Sequence, residues 1–139
     1  MGKKRLSTKE KKALIERISD VLKEKKYIVF AYIFGSFVCE EDFNDIDIGI
    51  FILEPQKSPL SLELEMELEL EEIVYMPVDV RIINHAPLPF IYHILKEGIL
   101  IVDRNSLSRA DFEGLVYKKY FDSQHLRREY LKEIINATI

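Results

Sequence analysis

The sequence predicts an α/β fold of the α+β kind, a small mixed β-sheet of three to four strands flanked by helices. Three observations carry that prediction. Tyr27 to Phe34 is a continuous apolar run rich in β-branched and aromatic side chains, the pattern of a strand covered on both faces. Asp45 to Leu53 and Val78 to Asn84 alternate: Asp45, Asp47 and Gly49 share one face against Ile46, Ile48 and Ile50, as Asp79, Arg81 and Ile83 do against Val78, Val80 and Ile82. Elsewhere apolar residues recur at three- and four-residue spacing, the period of a helix.

The elements follow in order. From Ser7 to about Lys25, Ala13, Leu14, Ile18, Val21 and Leu22 form the apolar face of an amphipathic helix. Ser7 or Thr8 caps it, and Lys23 to Lys26 suit the negative end of its dipole. After the first two strands, Pro55 to Pro59 break the chain. Leu62 to Glu72 then alternates leucine and glutamate with period two, a strand pattern, yet it is made of strong helix formers and contains no β-branched residue. Helix is the preferred reading, because it also supplies the crossover that two parallel strands need. Pro87 and Pro89 precede a short helix, Phe90 to Lys96; Gly98 ends it, and Ile99 to Asp103 forms an edge strand. Ser106 to Tyr120 and Ser123 to Thr138 are two helical stretches or one bent helix, with Leu115, Tyr117, Tyr120, Leu126, Tyr130, Leu131 and Ile134 expected at buried or interface positions.

The totals narrow the classes. At 139 residues the chain is expected to form one domain, with 105–139 as a C-terminal helical extension whose apolar positions are candidates for homo-oligomerisation. A net charge of -4 argues against a dominant nucleic-acid surface, although a local basic patch stays open. The lone Cys39 forms no internal disulfide; no signal peptide or bilayer-length apolar run is seen. A cytoplasmic protein is expected.

The chemistry concentrates between Tyr27 and Ile52. Asp45 and Asp47 at the start of one strand, joined by Asp79 from another, place like charges at one sheet edge, where their repulsion calls for a cation. Carboxylates and waters suit Mg²⁺, which takes few protein ligands and completes its shell with substrate phosphates. Gly35 lets a phosphate approach the backbone, and the Ser36 hydroxyl with the amides of a following turn holds it. These are the parts of metal-assisted nucleotidyl transfer.

Phe34-Gly35-Ser36, a spacer, Asp45-Ile46-Asp47 and the later Val78-Asp79-Val80 resemble the signature of the DNA polymerase β-type nucleotidyltransferase superfamily. The short chain and its tail, Tyr120-Phe121-Asp122 followed by Arg127-Arg128, are similar to the minimal nucleotidyltransferase (MNT) branch, which includes antitoxins paired with HEPN-family ribonuclease toxins. The resemblance implies a nucleotidyltransferase fold and two Mg²⁺ ions on Asp45 and Asp47. It implies that Asp79 binds the catalytic ion and helps deprotonate the nucleophile, and that Gly35 and Ser36 contact the β- and γ-phosphates of ATP. The acceptor it implies is a tyrosine hydroxyl of the partner HEPN toxin, which is adenylylated and silenced. The chain departs from the family pattern in one place. Phe37 to Asn44 has neither arginine nor glycine and carries Glu40, Glu41 and Asp42, which oppose triphosphate binding unless they face solvent.

Plainer readings stand beside these. Arg81 could make Asp79 one half of a structural ion pair, and Ser36 could be a helix cap. The glutamates from Glu63 to Glu72 read as a solvated helix face, the basic start from Lys3 to Lys12 as a solvated, partly frayed end, and His85, His93 and His125 as surface or packing residues. Tyr117, Tyr120 and Tyr130 are either core or a docking face. The alternative function is a catalytically weak antitoxin that neutralises its partner by complex formation; transfer to a small molecule such as an aminoglycoside ranks below both, for want of a second domain to cover the acceptor.

Overall fold

A computed structural model describes residues 3–53 and 57–137. The break expected at Pro55 and the final helical residue Thr138 lie outside the described residues. The elements are β1 (Lys4–Arg5), α1 (Thr8–Lys23), β2 (Ile28–Phe34), α2 (Ser36–Cys39), β3 (Asp42–Phe43), β4 (Ile46–Ile52), α3 (Pro59–Val74), β5 (Val78–Ile82), α4 (Leu88–Glu97), β6 (Ile99–Asp103) and α5 (Ser106–Ala137). The four long strands form a mixed sheet in the order β5-β4-β2-β6.

Every residue of β2 is buried, as a strand central to the sheet and covered on both faces requires. β2 runs antiparallel to β4 and β6, and β4 parallel to β5, so α3 is the crossover between β4 and β5. One face of the sheet carries Ile46, Ile48 and Ile50 against Leu14, Ile18 and Leu22 of α1 and Leu62, Met66 and Leu70 of α3. The other carries Tyr32, Phe34 and Ile83 against Ile91 and Ile94 of α4 and Val116 of α5. α1 begins with a capping box: the Glu10 N–H donates to Ser7 Oγ at 3.1 Å, and the Ser7 N–H to Glu10 Oε1 at 3.0 Å.

α3 resolves the leucine–glutamate alternation. Leu62, Met66, Leu70 and Val74, four residues apart, make its buried row. The adjacent row, Glu63, Glu67 and Glu71, is not a solvated face. Glu63 Oε2 accepts from the Ile82 N–H at 2.8 Å, Glu67 Oε2 from Val80 N–H at 2.8 Å, and Glu71 Oε1 from Val78 N–H at 3.1 Å. Four helical residues rise about 6 Å and two strand residues about 6.6 Å, so one carboxylate row can serve alternate amides of the neighbouring strand. β5 is an edge strand, and these carboxylates pair the donors that an edge leaves open. Glu65 and Glu69 meet Lys57 at 2.9 Å and Lys25 at 2.7 Å.

One further expectation is corrected, and a second is narrowed. The basic start is not frayed: β1 pairs antiparallel with β3, Lys4 opposite Phe43 and Arg5 opposite Asp42. The C-terminal stretches form one helix, α5, and its buried residue is Val116; Leu115, Leu126, Tyr130, Leu131 and Ile134 are exposed. The helix outlasts the sheet beneath it, so its later apolar positions have no core to enter. Tyr117 and Tyr120 are half-buried, and the Tyr120 ring stacks on Tyr92 of α4 with centroids 3.7 Å apart. The first turns of α5 are tied down by Tyr32, whose hydroxyl donates to Glu113 Oε2 at 2.8 Å, and by Arg109, which bridges Asp103 and Glu113 at 2.9 and 2.7 Å.

The carboxylate row predicts a measurable asymmetry. Glu67→Ala leaves the Val80 amide without its partner and is expected to lower unfolding stability by about 1–3 kcal/mol, whereas Glu67→Gln, which keeps an acceptor, costs less. Equal midpoints for the two variants in urea denaturation would remove the hydrogen bond from the account of β5.

Candidate active site

The site begins where β2 ends. Phe34 lies opposite Asp47 in the β2–β4 ladder. The next residue, Gly35, adopts φ 80 and ψ -159, a backbone region essentially reserved for glycine. A second constraint acts at the same residue: a Cβ added there would collide with the Asp47 carboxylate, with Oδ2 nearest and Cγ at 3.1 Å. Gly35 and Asp47 can therefore approach this closely only because position 35 has no side chain. The chain then winds one helical turn, α2, whose N-cap position is taken by Gly35 with no side-chain capping bond. Ser36 is the first residue of that turn rather than its cap.

Parallel pairing sets the acidic groups. Asp47 stands in register with Asp79, and Gly49 with Arg81, so the two carboxylates are neighbours on adjacent strands and face the same side. Asp45 precedes β4; the Ile46 N–H donates to the Pro77 carbonyl at 3.0 Å, which starts the ladder one residue beyond it. Asp45 joins the pair through charge: burial pushes the Asp47 carboxyl up to about 6, Asp45 and Asp79 add to the rise, and Arg81 opposes it. Arg81 Nε donates to Asp79 Oδ1 at 3.2 Å, so the ion pair weighed for Asp79 exists, within one strand and on an exposed surface.

Among the described residues, no three His, Cys, Asp or Glu side chains are grouped so as to hold a metal ion. The donor chemistry nonetheless fits Mg²⁺. Two oxygen-donor side chains stand side by side, Asp47 half-buried under repulsion from Asp79 and from Asp45, and such an ion needs only one or two protein carboxylates when phosphates complete its shell.

A cavity of about 520 Å³ opens on this edge, lined by Asp47, Asp79 and Arg81, by Glu63 of α3, and by Phe34, Pro87 and Phe90. Sequence reading passed over Glu63, Phe90 and the neighbouring Glu67. Glu67 touches Asp79 while holding the Val80 amide, and burial holds its carboxyl above the usual range. The only signal for the two glutamates was their four-residue spacing, which a solvated helix face shares. Gly35 and Ser36 sit at the end of β2 next to Asp47, and the acidic turn after them is held by the N-terminal segment. Arg5 Nε and Nη2 donate to the two Asp42 carboxylate oxygens at 2.7 and 3.1 Å. Lys11 Nζ donates to the carbonyls of Phe37 and Glu40 at 2.7 and 2.8 Å.

Two outcomes follow from this geometry. Gly35→Ala is expected to destabilise the fold by about 1–3 kcal/mol from backbone strain, with the collision on Asp47 added; a denaturation midpoint equal to wild type would refute the contact. The second concerns pH without divalent cations. Native Asp47 keeps its proton to about pH 6, whereas an unfolded aspartate loses it near 3.9. The native state thus binds more protons across that window, and wild-type stability falls as pH rises through it. Asp47→Asn lacks this loss. In EDTA it should melt above wild type at pH 8, and the gap should close towards pH 4.

The chain was compared with known proteins. A model of the family described as polymerase beta, nucleotidyltransferase matches residues 16–107, which span β2, α2, β4 and β5. No curated protein matches the sequence. Among solved structures, the chain is similar to one from a complex of tri-AMPylated Shewanella oneidensis HEPN toxin with MNT antitoxin, at 16% identity and a TM-score of 0.69, covering 90% of this chain and 98% of the other. It is also similar to one from an MntA–HepT toxin–antitoxin complex, at 15% identity and a TM-score of 0.68, covering 89% and 98%. A third, from a toxin–antitoxin complex with AMP-PNP, gives 15% identity, a TM-score of 0.64 and coverage of 93% and 99%. At these identities the structures speak for the fold; the family match, over more than half of the chain, settles membership. The protein belongs to the polymerase beta-type nucleotidyltransferase family.

Proposed function

We propose that this protein is a Mg²⁺-dependent nucleotidyltransferase that transfers AMP from ATP to a hydroxyl, the acceptor being a tyrosine of a HEPN-family partner toxin. The observation that carries this reading is the in-register pair Asp47 and Asp79, with Asp47 in contact with the glycine that opens the Gly35–Ser36 turn. Carboxylates for a cation and a glycine-opened turn for phosphates stand at one sheet edge. Support for the nucleotide comes from a structural relative complexed with AMP-PNP, an ATP analogue, and support for the acceptor from the tri-AMPylated HEPN toxin of another. No described helix is long and apolar enough to cross a membrane, and a cytoplasmic site of action is part of the proposal.

In this reading Gly35 and Ser36 hold the β- and γ-phosphates, the glycine by close backbone approach and the serine through its hydroxyl. Asp45, Asp47 and Asp79 would hold the Mg²⁺ ions. When bound, the ions neutralise the triphosphate and acidify the attacking hydroxyl. Asp79 takes up the hydroxyl proton; the hydroxyl oxygen bonds to the α-phosphorus as the bond to the β-phosphate breaks, and pyrophosphate leaves. Arg81, which lines the same cavity and pairs with Asp79, would stabilise charge on the α-phosphate.

A second reading is favoured by one observation, the Phe37 to Asn44 turn, which has neither arginine nor glycine and carries Glu40, Glu41 and Asp42. In it the protein is a catalytically weak antitoxin that silences its partner by occupying it.

Labelled ATP, Mg²⁺ and the partner toxin separate the two. Wild type should label the toxin, and Asp45→Ala/Asp47→Ala should lose transfer by at least 100-fold and no longer protect cells. Equal, negligible labelling by both proteins, with protection intact in the double variant, would sink the enzymatic reading in favour of the second.

A further inference from the structure

The turn that departs from the family pattern is the place where the N-terminal segment makes its long-range contacts. α2 is a single turn, too short to be stable by itself, and its last carbonyls need donors. Lys11, on α1, supplies them. Its ammonium donates to Phe37 O at 2.7 Å and to Glu40 O at 2.8 Å, spanning the C-terminal end of α2, where a cation is also favoured by the dipoles of the turn. The same ammonium lies 5.2 Å from the centroid of the Phe37 ring and 5.3 Å from that of Phe43. Those rings pack edge to face at 4.9 Å and are fully buried. On the far side of the turn, β1 pairs with β3, and Arg5 holds both oxygens of Asp42.

We infer that Lys11 is a positioning residue. Resting on the nucleotidyltransferase reading, the inference adds that Lys11, with Arg5 behind it, clamps the far end of α2 and thereby fixes Ser36 and the Gly35 backbone against Asp47. The geometry is direct. Gly35 O accepts from the N–H groups of Val38 and Cys39, and Ser36 O from that of Glu40, at 3.1, 3.1 and 2.9 Å. Phe37 and Glu40, the residues whose carbonyls Lys11 grips, are therefore joined to the phosphate-side residues through one hydrogen-bonded turn. An acidic turn would drift from a triphosphate. Here Asp42 is turned to Arg5, Glu41 lies 3.8 Å from the same guanidinium, and the Glu40 carbonyl is drawn to Lys11. The cations that the turn lacks in its own sequence come from thirty or so residues upstream. Small displacements of groups that orient a substrate cost large factors in rate or affinity, which makes such a clamp consequential.

The test uses the full chain and its partner toxin, with three variants. Lys11→Met keeps the stem over Phe37 and Phe43 but loses both carbonyl bonds; Lys11→Arg restores a donor and a charge; Arg5→Gln loosens the same turn from an exposed position. Amide exchange and the ATP dependence of AMP transfer are measured together. Lys11→Met should speed exchange of the amides in 36–43 at least tenfold while β2 and β4 keep their protection. It should raise KM for ATP about tenfold, change kcat less than threefold, and be rescued to within threefold of wild type by arginine. Arg5→Gln should shift both readouts in the same direction by a smaller factor, and it decides the matter if Lys11→Met does not fold. Unchanged exchange over 36–43 overturns the clamp, as does a fall in kcat at constant KM, or an arginine variant no better than methionine. Wild type that binds no ATP by calorimetry would overturn the nucleotidyltransferase reading instead, and exchange over 36–43 would still decide the clamp.

Discussion

The structure depends on the in-register parallel pairing of β4 with β5. That pairing sets Asp47 beside Asp79 and turns both towards the face that α4 covers further along, while Ile46, Ile48, Val78 and Val80 go to the opposite core. A slip of one residue would send the carboxylates into the apolar layer and the isoleucines into the cleft, so the core enforces the register that the site needs. The consequence is a half-buried aspartate next to two like charges with a single arginine opposing them. Such an arrangement is destabilising until something cationic is bound, and the surrounding hydrophobic layers supply the stability that it removes.

Parallel pairing also creates a difficulty that α3 resolves. A crossover helix is required between β4 and β5, and β5 is left as an edge with its outward amides unpaired. One helix meets both demands because its buried row and its carboxylate row are adjacent and share the four-residue repeat. Leu62, Met66 and Leu70 close the core as Glu63, Glu67 and Glu71 occupy alternate amides of β5. The arrangement blocks the edge against other strands and steadies Asp79, which lies between two residues whose amides are held.

Most of the fold was legible because it rests on local pattern. The β-branched run at Tyr27 to Phe34 could only be a doubly covered strand, and the helix at Leu62 to Glu72 followed from residue type together with the need for a crossover. The mixed sheet and the edge position of Ile99–Asp103 agree with the expectation. What escaped was whatever depended on partners distant in sequence. Glu63 and Glu67 look like any solvated glutamates until β5 is laid beside them, and Lys11 and Arg5 look like a basic tail until β3 is. The apolar residues of α5, Leu115 and Leu126 among them, are exposed, which sets aside burial within the chain and leaves the interface half of the expectation, because periodicity reports an apolar stripe but not how far the sheet extends beneath it. In the candidate site, alternation placed Asp47 and Asp79 on matching faces, yet the contact between Gly35 and Asp47 required knowing that Phe34 pairs with Asp47.

The acidic turn and the basic start are best understood as one unit. Taken alone, Glu40, Glu41 and Asp42 oppose an anionic ligand, and Lys3 to Lys12 suggest a loose cationic end. Brought together by the β1–β3 ladder, they bind each other: Arg5 is spread over Glu41 and Asp42, and Lys11 is engaged with carbonyls and aromatic faces. The exposed ion pairs contribute little to stability by themselves. Lys11 differs, since its donors satisfy carbonyls that a one-turn helix would otherwise leave to solvent, and its charge rests on buried rings. A turn without glycine or arginine can thus remain ordered beside Gly35, provided that the helix preceding β2 is present and correctly packed. The order of that turn depends on the same α1 that closes the main core, so loss of α1 packing at Leu14 or Ile18 would reach the Gly35–Ser36 turn through Lys11 as well as β4 through its isoleucines.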